Sequence, residues 1–171
     1  MNGLPLKSLN REKYWQSICV IFQDFLRYEG SLQENIALSK IYTNQSSKEI
    51  AAALKKAQVD FLLKKGCYKS NQNLGNWFEE GRQLFDGQWQ KIGLARIFYK
   101  DASLYLLDEP TSSIDSFSEK KIFENFFLRK DKIIIFITHN LSMAKKADKV
   151  LLLKNGKVHG FENSKCSSLF R

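Results

Sequence analysis

Gly81-Arg82-Gln83-Leu84-Phe85-Asp86-Gly87-Gln88 is followed in the chain by Asp108-Glu109-Pro110-Thr111-Ser112-Ser113-Ile114-Asp115, and then by Thr138-His139. The Gly87-Gln88 pair reads as a helix start. The acidic pair closes an apolar run, Leu104-Tyr105-Leu106-Leu107, and the Thr-His follows a second run, Ile133 to Ile137. In open α/β sheets ligands bind in the crevice outside the carboxyl ends of the strands, so carboxylates at a strand end are well placed for chemistry. An acidic pair after a strand is on its own usually just a strand end; the ordered company makes this one specific. Nowhere does the chain read G-x-x-x-x-G-K-[ST], the glycine-rich loop whose backbone N–H groups and lysine cradle nucleotide phosphates.

Around this set the pattern is that of an α/β fold. Ile18-Cys19-Val20-Ile21-Phe22 is a short apolar run rich in β-branched residues and reads as a buried strand ended by Gln23-Asp24. Strands are also expected at Leu104 to Leu107, Ile133 to Ile137 and Val150 to Leu153. The first two of these are apolar throughout, as in a parallel sheet covered on both faces. Asn155-Gly156 predicts a tight hairpin turn into a short strand near Val158. Ser46-x-x-Glu49 reads as a capping box ahead of Ile50, Ala53, Leu54 and Ala57, and Ser116-x-x-Glu119 as another ahead of Ile122, Phe123, Phe126 and Phe127. Residues 37–82 are richer in helix formers and read as a helical insertion. The expected organisation is therefore a core segment 1–36, a helical subdomain 37–82 and a second core segment 83–171, around a mostly parallel sheet.

Composition narrows the function. With 171 residues and 43% hydrophobic content the chain suits one packed core. The net charge of +9 comes from lysines scattered in separate segments (Lys55-Lys56, Lys64-Lys65, Lys120-Lys121, Lys145-Lys146), without a recognition motif, so no nucleic-acid partner is expected. A basic face near anionic lipid headgroups is compatible with the charge. Cys19, Cys67 and Cys166 are odd in number and lack metal-ligand spacing; Cys19 reads as a buried thiol, and this usage fits a reducing compartment. No run approaches 18 apolar residues, and Met1-Asn2-Gly3-Leu4-Pro5 lacks a signal-peptide layout.

From about residue 2 to the end, the chain resembles the nucleotide-binding domain of ATP-binding cassette (ABC) transporters, with the core fold of P-loop NTPases. Leu74-Gly75-Asn76-Trp77-Phe78-Glu79-Glu80-Gly81, running into Gln88-Trp89-Gln90-Lys91-Ile92-Gly93-Leu94-Ala95-Arg96, is similar to exporters of the bacteriocin and lantibiotic type, as are Phe22-Gln23-Asp24-Phe25 and Gly30-Ser31-Leu32-Gln33-Glu34-Asn35-Ile36. The resemblance implies Mg²⁺ and ATP as cofactors, and phosphoryl transfer to water coupled to export of a peptide-like substrate. It also implies a membrane-spanning subunit or domain and a second nucleotide-binding domain as partners, at the cytoplasmic face of the membrane. By position, Gln23 matches the Q-loop glutamine that reaches Mg²⁺ and the attacking water and couples the site to the membrane subunit. Asp108 matches the Walker B aspartate on Mg²⁺, Glu109 the residue that polarises the water, and His139 the switch histidine that donates to the γ-phosphate. Phe85, Asp86, Gly87 and Gln88 match the signature, and Ser112 to Asp115 the D-loop, both of which meet the nucleotide of the partner cassette.

Two departures qualify the resemblance. The signature is usually Leu-Ser-Gly-Gly-Gln and here reads Leu84-Phe85-Asp86-Gly87-Gln88, so a phenyl ring replaces the serine hydroxyl and a carboxylate the next glycine. Asp86 is expected to cap the helix that begins near Gly87, taking the place of an incoming anion and weakening this half-site. The Walker A strand and loop have no match; without them Asp108 and Glu109 repel a polyphosphate. The resemblance thus reads as a cassette cut in front: a gene fragment, a mis-set start or one half of a split protein, impaired when alone. The alternative is a degenerate, non-catalytic cassette that completes or regulates a partner's site. The soluble translation-factor branch of the superfamily fits the basic charge but not the exporter-like Q-loop neighbourhood.

Overall fold

A computed structural model describes residues 5–40, 46–64 and 67–163. Lys65, Cys166 and Met1 to Leu4, named above, lie outside them. The chain divides into two compact units, Met1–Phe136 and Ile137–Arg171. In order, the elements are α1 (Arg11–Ser17), β1 (Ile18–Ile21), β2 (Gly30–Ser31), α2 (Leu32–Ala37), α3 (Ser47–Lys56), β3 (Leu63–Lys64), β4 (Cys67–Tyr68), β5 (Asn73–Leu74), α4 (Asp86–Lys100), β6 (Leu104–Asp108), α5 (Ser116–Phe127) and β7 (Ile133–Ile137). The second unit adds α6 (Leu141–Ala144), β8 (Lys149–Lys154) and β9 (Lys157–Asn163). No helix among the described residues is long and apolar enough to cross a membrane.

The central sheet has the order β1-β6-β7. β1 and β6 run parallel, with Ile18 opposite Leu104 and Ile21 opposite Leu107. Two parallel strands so far apart in sequence need a long crossover, and α2, α3 and α4 lie on it. The expected α/β architecture with a parallel sheet and helices is present. β1 ends at Ile21 rather than Phe22, whose ring is exposed.

α4 organises the core. Trp89, Ile92, Gly93, Leu94, Ala95, Ile97, Phe98 and Tyr99 are all buried, so the helix is apolar on nearly every side, as a central helix must be. A Cβ on Gly93 would stand 3.2 Å from side-chain atoms of Ile21 and Phe25, so glycine lets this helix lie against β1 without displacing those side chains. Phe98 stacks on Phe126 of α5 with ring centroids 4.5 Å apart, and Tyr105 meets Phe126 edge-on. Arg129 closes this cluster, donating to the Tyr105 hydroxyl, to Asp101 at 3.3 Å and to the Phe98 carbonyl at 3.3 Å. Cys19 is buried as expected, and burial pushes its thiol up to about 11.

Two expectations are corrected. The apolar strands are not covered on both faces throughout: Ile133, Ile135 and Ile137 of β7 are exposed, while Phe136 packs on Phe123 and Phe127. The physical reason is that β7 is the outer strand of the described sheet and α5 covers only one of its faces. Ser116 is not a helix cap; the Asp115 carboxylate takes that place by accepting from the Ser118 N–H at 2.9 Å, and Glu119 instead accepts from the Thr111 hydroxyl at 2.8 Å. Ser46 does cap α3 through the Glu49 N–H.

In the second unit β8 and β9 form an antiparallel hairpin. Asn155 and Gly156 both have positive φ, 51° and 72°, the turn that matches strand twist.

Candidate functional site

The parallel register of β1 and β6 brings Gln23 and Asp108-Glu109 to one edge of the sheet. Ile21 pairs with Leu107, and Gln23 and Glu109 each stand two residues beyond that pair. Asp108 ends β6 and, like Glu109, is half-buried; Gln23 is exposed on the turn after β1. Glu109 has φ +42°, a left-handed conformation uncommon for a residue with a side chain. The backbone turns sharply there, away from the strand and into the D-loop segment.

The stretch after Gln23 is held from the core. Arg96 on α4 donates to the Leu26 carbonyl at 2.7 Å, to the Asn35 carbonyl at 2.9 Å and to the Asn35 side-chain oxygen at 2.7 Å. Burial pushes its guanidinium down to about 10, still charged at neutral pH. Asn35 in turn donates to the Tyr28 carbonyl at 2.9 Å. Glu29 accepts from the Asn76 and Trp77 N–H groups at 2.8 and 2.7 Å, tying this stretch to the segment ahead of α4. Gly75 permits that contact, with φ +96° and with a Cβ that would stand 2.4 Å from the Glu29 side chain.

At the signature, Asp86 does not cap α4. The helix starts at Asp86 itself, with Phe85 in the cap position, and a phenyl ring cannot accept a hydrogen bond. The Gln88 side chain accepts from the Phe85 N–H at 3.1 Å, supplying the reciprocal half of a capping box. The Asp86 carboxylate pairs with Arg27 at 3.0 Å. An aspartate in the first turn suits the helix dipole as well as one at the cap, which is why the shift by one residue costs the fold little. Phe85 is 81% exposed.

The D-loop is fastened at both ends. Asp115 caps α5, and its carboxylate is held below the usual range chiefly by the hydrogen bonds from Ser118, with Lys91 at 3.6 Å adding to the effect. At the other end the side chain of Gln90, which the sequence alone did not single out, reaches the turn from α4. A polar residue in line with Gly93, Leu94 and Ile97 on a buried helix was the available signal. Thr138 and His139 lie at the start of the second unit; His139 is exposed, and the Thr138 hydroxyl accepts from the Asn140 N–H at 3.0 Å. Within the first unit the β1–β6 register places Gln23 and Asp108-Glu109 at one sheet edge, and Gly87 and Gln90 of α4 meet the turn at Glu109, Ser112 and Ser113; His139 is described within the second unit alone.

A strand-end acidic pair, a glutamine turn at the same sheet edge and a helix packed on the turn that follows the acidic pair are the arrangement expected of an ATP-binding cassette. The chain belongs to the ABC transporter family, whose profile matches residues 1–112. It is 44% identical over 161 residues to the subtilin transport ATP-binding protein of Bacillus subtilis, covering 94% of this chain and 26% of that protein. It is 46% identical over 153 residues to the nisin transport ATP-binding protein of Lactococcus lactis subsp. lactis, covering 88% of this chain and 26% of that one. Among solved structures, a bacterial Atm1-family ABC exporter with ATP bound superposes with a TM-score of 0.72 at 25% identity, covering 88% of this chain and 26% of the exporter chain. The chain thus spans about a quarter of the length of these relatives.

Family membership implies use of ATP and Mg²⁺. The described residues do not by themselves fit that pair. Asp108 and Glu109 bring negative charge, Gln23 a neutral amide, and no group of three or more His, Cys, Asp or Glu side chains among the described residues could hold a metal ion. The 171 residues contain no phosphate-loop motif to offset the triphosphate charge.

Proposed function

We propose that this chain is the ATP-using part of an exporter of peptide-like substrates, acting at the cytoplasmic face of a membrane with a membrane-spanning subunit or domain and a second cassette. The observation that carries this reading is the parallel β1–β6 register, which aligns Gln23 with the Asp108-Glu109 pair. The names of the relatives, subtilin transport and nisin transport, favour a peptide as cargo. By resemblance, Asp108 and Gln23 would be the residues on the Mg²⁺ side and Glu109 the one that would orient the attacking water; His139, in the second unit, is proposed separately as the group that would donate to the γ-phosphate. Phe85 to Gln88 and Asp115 face the nucleotide of the second cassette. A phosphate-binding loop, if one serves this site, would have to come from outside these 171 residues. Residues 37–82 are proposed as the helical subdomain between core segments 1–36 and 83–171.

The membrane-side contact is proposed on the two segments that Glu29 joins. Phe22 and Leu26 are exposed on the first of these segments and Trp77, 85% exposed, on the second. Apolar side chains held on a fixed backbone suit docking of a partner's apolar helix more than contact with water.

The test is Glu109→Gln in the intact exporter that contains this sequence. Peptide export and ATP turnover should both fall by about 10²–10⁴-fold, the range for losing a group that handles the proton of the attacking water. Membrane association should be unchanged. Undiminished export by the variant would contradict the proposal.

A further inference from the structure

We infer that Gln90 is a positioning residue that makes the signature end of α4 and the turn bearing Glu109 move as one piece. The inference rests on the cassette reading above only for what that movement is used for. Gln90 is 3% exposed. Its side-chain NH₂ donates to the Glu109 carbonyl and to the Ser112 hydroxyl, both at 3.1 Å. Its carbonyl oxygen accepts from the Ser113 N–H at 2.8 Å. One amide therefore occupies both of its donors and an acceptor on three residues of a single turn, Glu109, Ser112 and Ser113.

That turn needs holding. Glu109 has φ +42°, and a non-glycine residue in this region persists only where its surroundings over-determine it. The Ser112 N–H also reaches the Glu109 carbonyl, at a longer 3.3 Å. A second contact lies one helical turn earlier on α4. A Cβ on Gly87 would stand 2.2 Å from the Ser113 carbonyl oxygen, so the signature glycine and the D-loop backbone touch directly. Lys91 adds a third link by donating to the Ser118 hydroxyl at 2.7 Å, below the Asp115 cap. With Gly87, Gln90 and Lys91 all engaged, a tilt of α4 at its signature end is carried to the Glu109 backbone. In the proposed cassette, the half-site offered to the partner and the carboxylate of this chain's own site are then set by one rigid joint. Burying an amide with its hydrogen bonds made is inexpensive; leaving three backbone and hydroxyl partners without it is not.

The test needs no nucleotide. Backbone amide spectra of the full chain would be recorded for wild type, Asp86→Asn, Gln90→Met, Gln90→Glu and the combinations. In wild type, Asp86→Asn should shift the Ser112 and Ser113 amides; with Gln90→Met the same change should shift them at least ~3-fold less, the signature of coupling through a shared partner. Gln90→Glu keeps the acceptor for Ser113 and loses the donors, so it should retain Ser113 exchange protection while altering Glu109. Equal responses in wild-type and Gln90→Met backgrounds, or unchanged Ser113 protection in Gln90→Met, would overturn the inference. Should Gln90→Met fail to fold, Gln90→Glu alone decides through the Glu109 and Ser113 amides. Coupling found in an exporter whose Glu109→Gln variant still works would leave this joint standing and remove the proposed function.

Discussion

Asp86 and Arg27 form an ion pair at 3.0 Å across the first turn of α4, so that helix end carries its own anion. Both side chains are about half exposed or more, and such a pair contributes roughly 0–1 kcal/mol to stability. Its consequence is for ligands. The four leading N–H groups of a helix make an anion site, and here a carboxylate stands beside it with its countercharge already taken. Titration with pyrophosphate should leave the residue-86 and Gly87 amides of the wild-type chain unmoved and shift them saturably in Asp86→Asn. Equal saturable shifts in both would show that Asp86 does not guard the helix end.

Asp115→Ala removes the cap of α5 and should lower stability by about 1 kcal/mol at neutral pH. The pH dependence has a definite sign. The folded-state pKa of Asp115 is lowered by the Ser118 hydrogen bonds, so its contribution is complete above the unfolded value and is lost as pH falls through the folded one. Urea midpoints of wild type and variant should therefore differ at neutral pH and converge in strong acid. A difference that persists in acid would contradict the capping role.

Gly75→Ala places a methyl group 2.4 Å from the Glu29 side chain at φ +96°. Both strains act together, and destabilisation of about 1–3 kcal/mol is expected. Amide exchange should speed up at Asn76 and Trp77, whose N–H groups lose the Glu29 carboxylate. Unchanged protection there would mean that the Glu29 clasp is not what holds the segment.

Phe126→Ala empties the centre of the aromatic cluster between α4, α5 and β6. Phe126 is 1% exposed and contacts Phe98, Tyr105 and Phe123. A loss of about 3–5 kcal/mol in urea unfolding is expected. A loss below about 1 kcal/mol would show that the cluster is not the core.

Much of this was legible in the amino-acid order. Runs such as Ile18 to Ile21 and Leu104 to Leu107 can be little other than buried strands, and Asn155-Gly156 fixes its turn through the two positive φ angles it tolerates. The misreadings fall where local rules compete. Ser116 and Asp115 are both good caps, and the aspartate won because its neighbour Glu119 was already engaged by Thr111. The start of α4 lies one residue before the expected Gly87, because the Gln88 side chain holds the Phe85 N–H and puts Phe85, a residue with no capping oxygen, in the cap position. Gln90 sits between Trp89 and Lys91 and looks like a surface amide until the D-loop folds over it. The exposed face of β7 reflects which strands and helices lie beside it, a tertiary property that an all-apolar pentapeptide does not encode.

The central claim is that these 171 residues carry groups that act on ATP without the groups that hold it. Calorimetric titration of the purified chain with Mg-ATP tests this most directly. The prediction is no saturable binding below a Kd of about 1 mM, where binding free energy falls to roughly −4 kcal/mol. Saturable micromolar binding, with turnover abolished by Glu109→Gln, would contradict it.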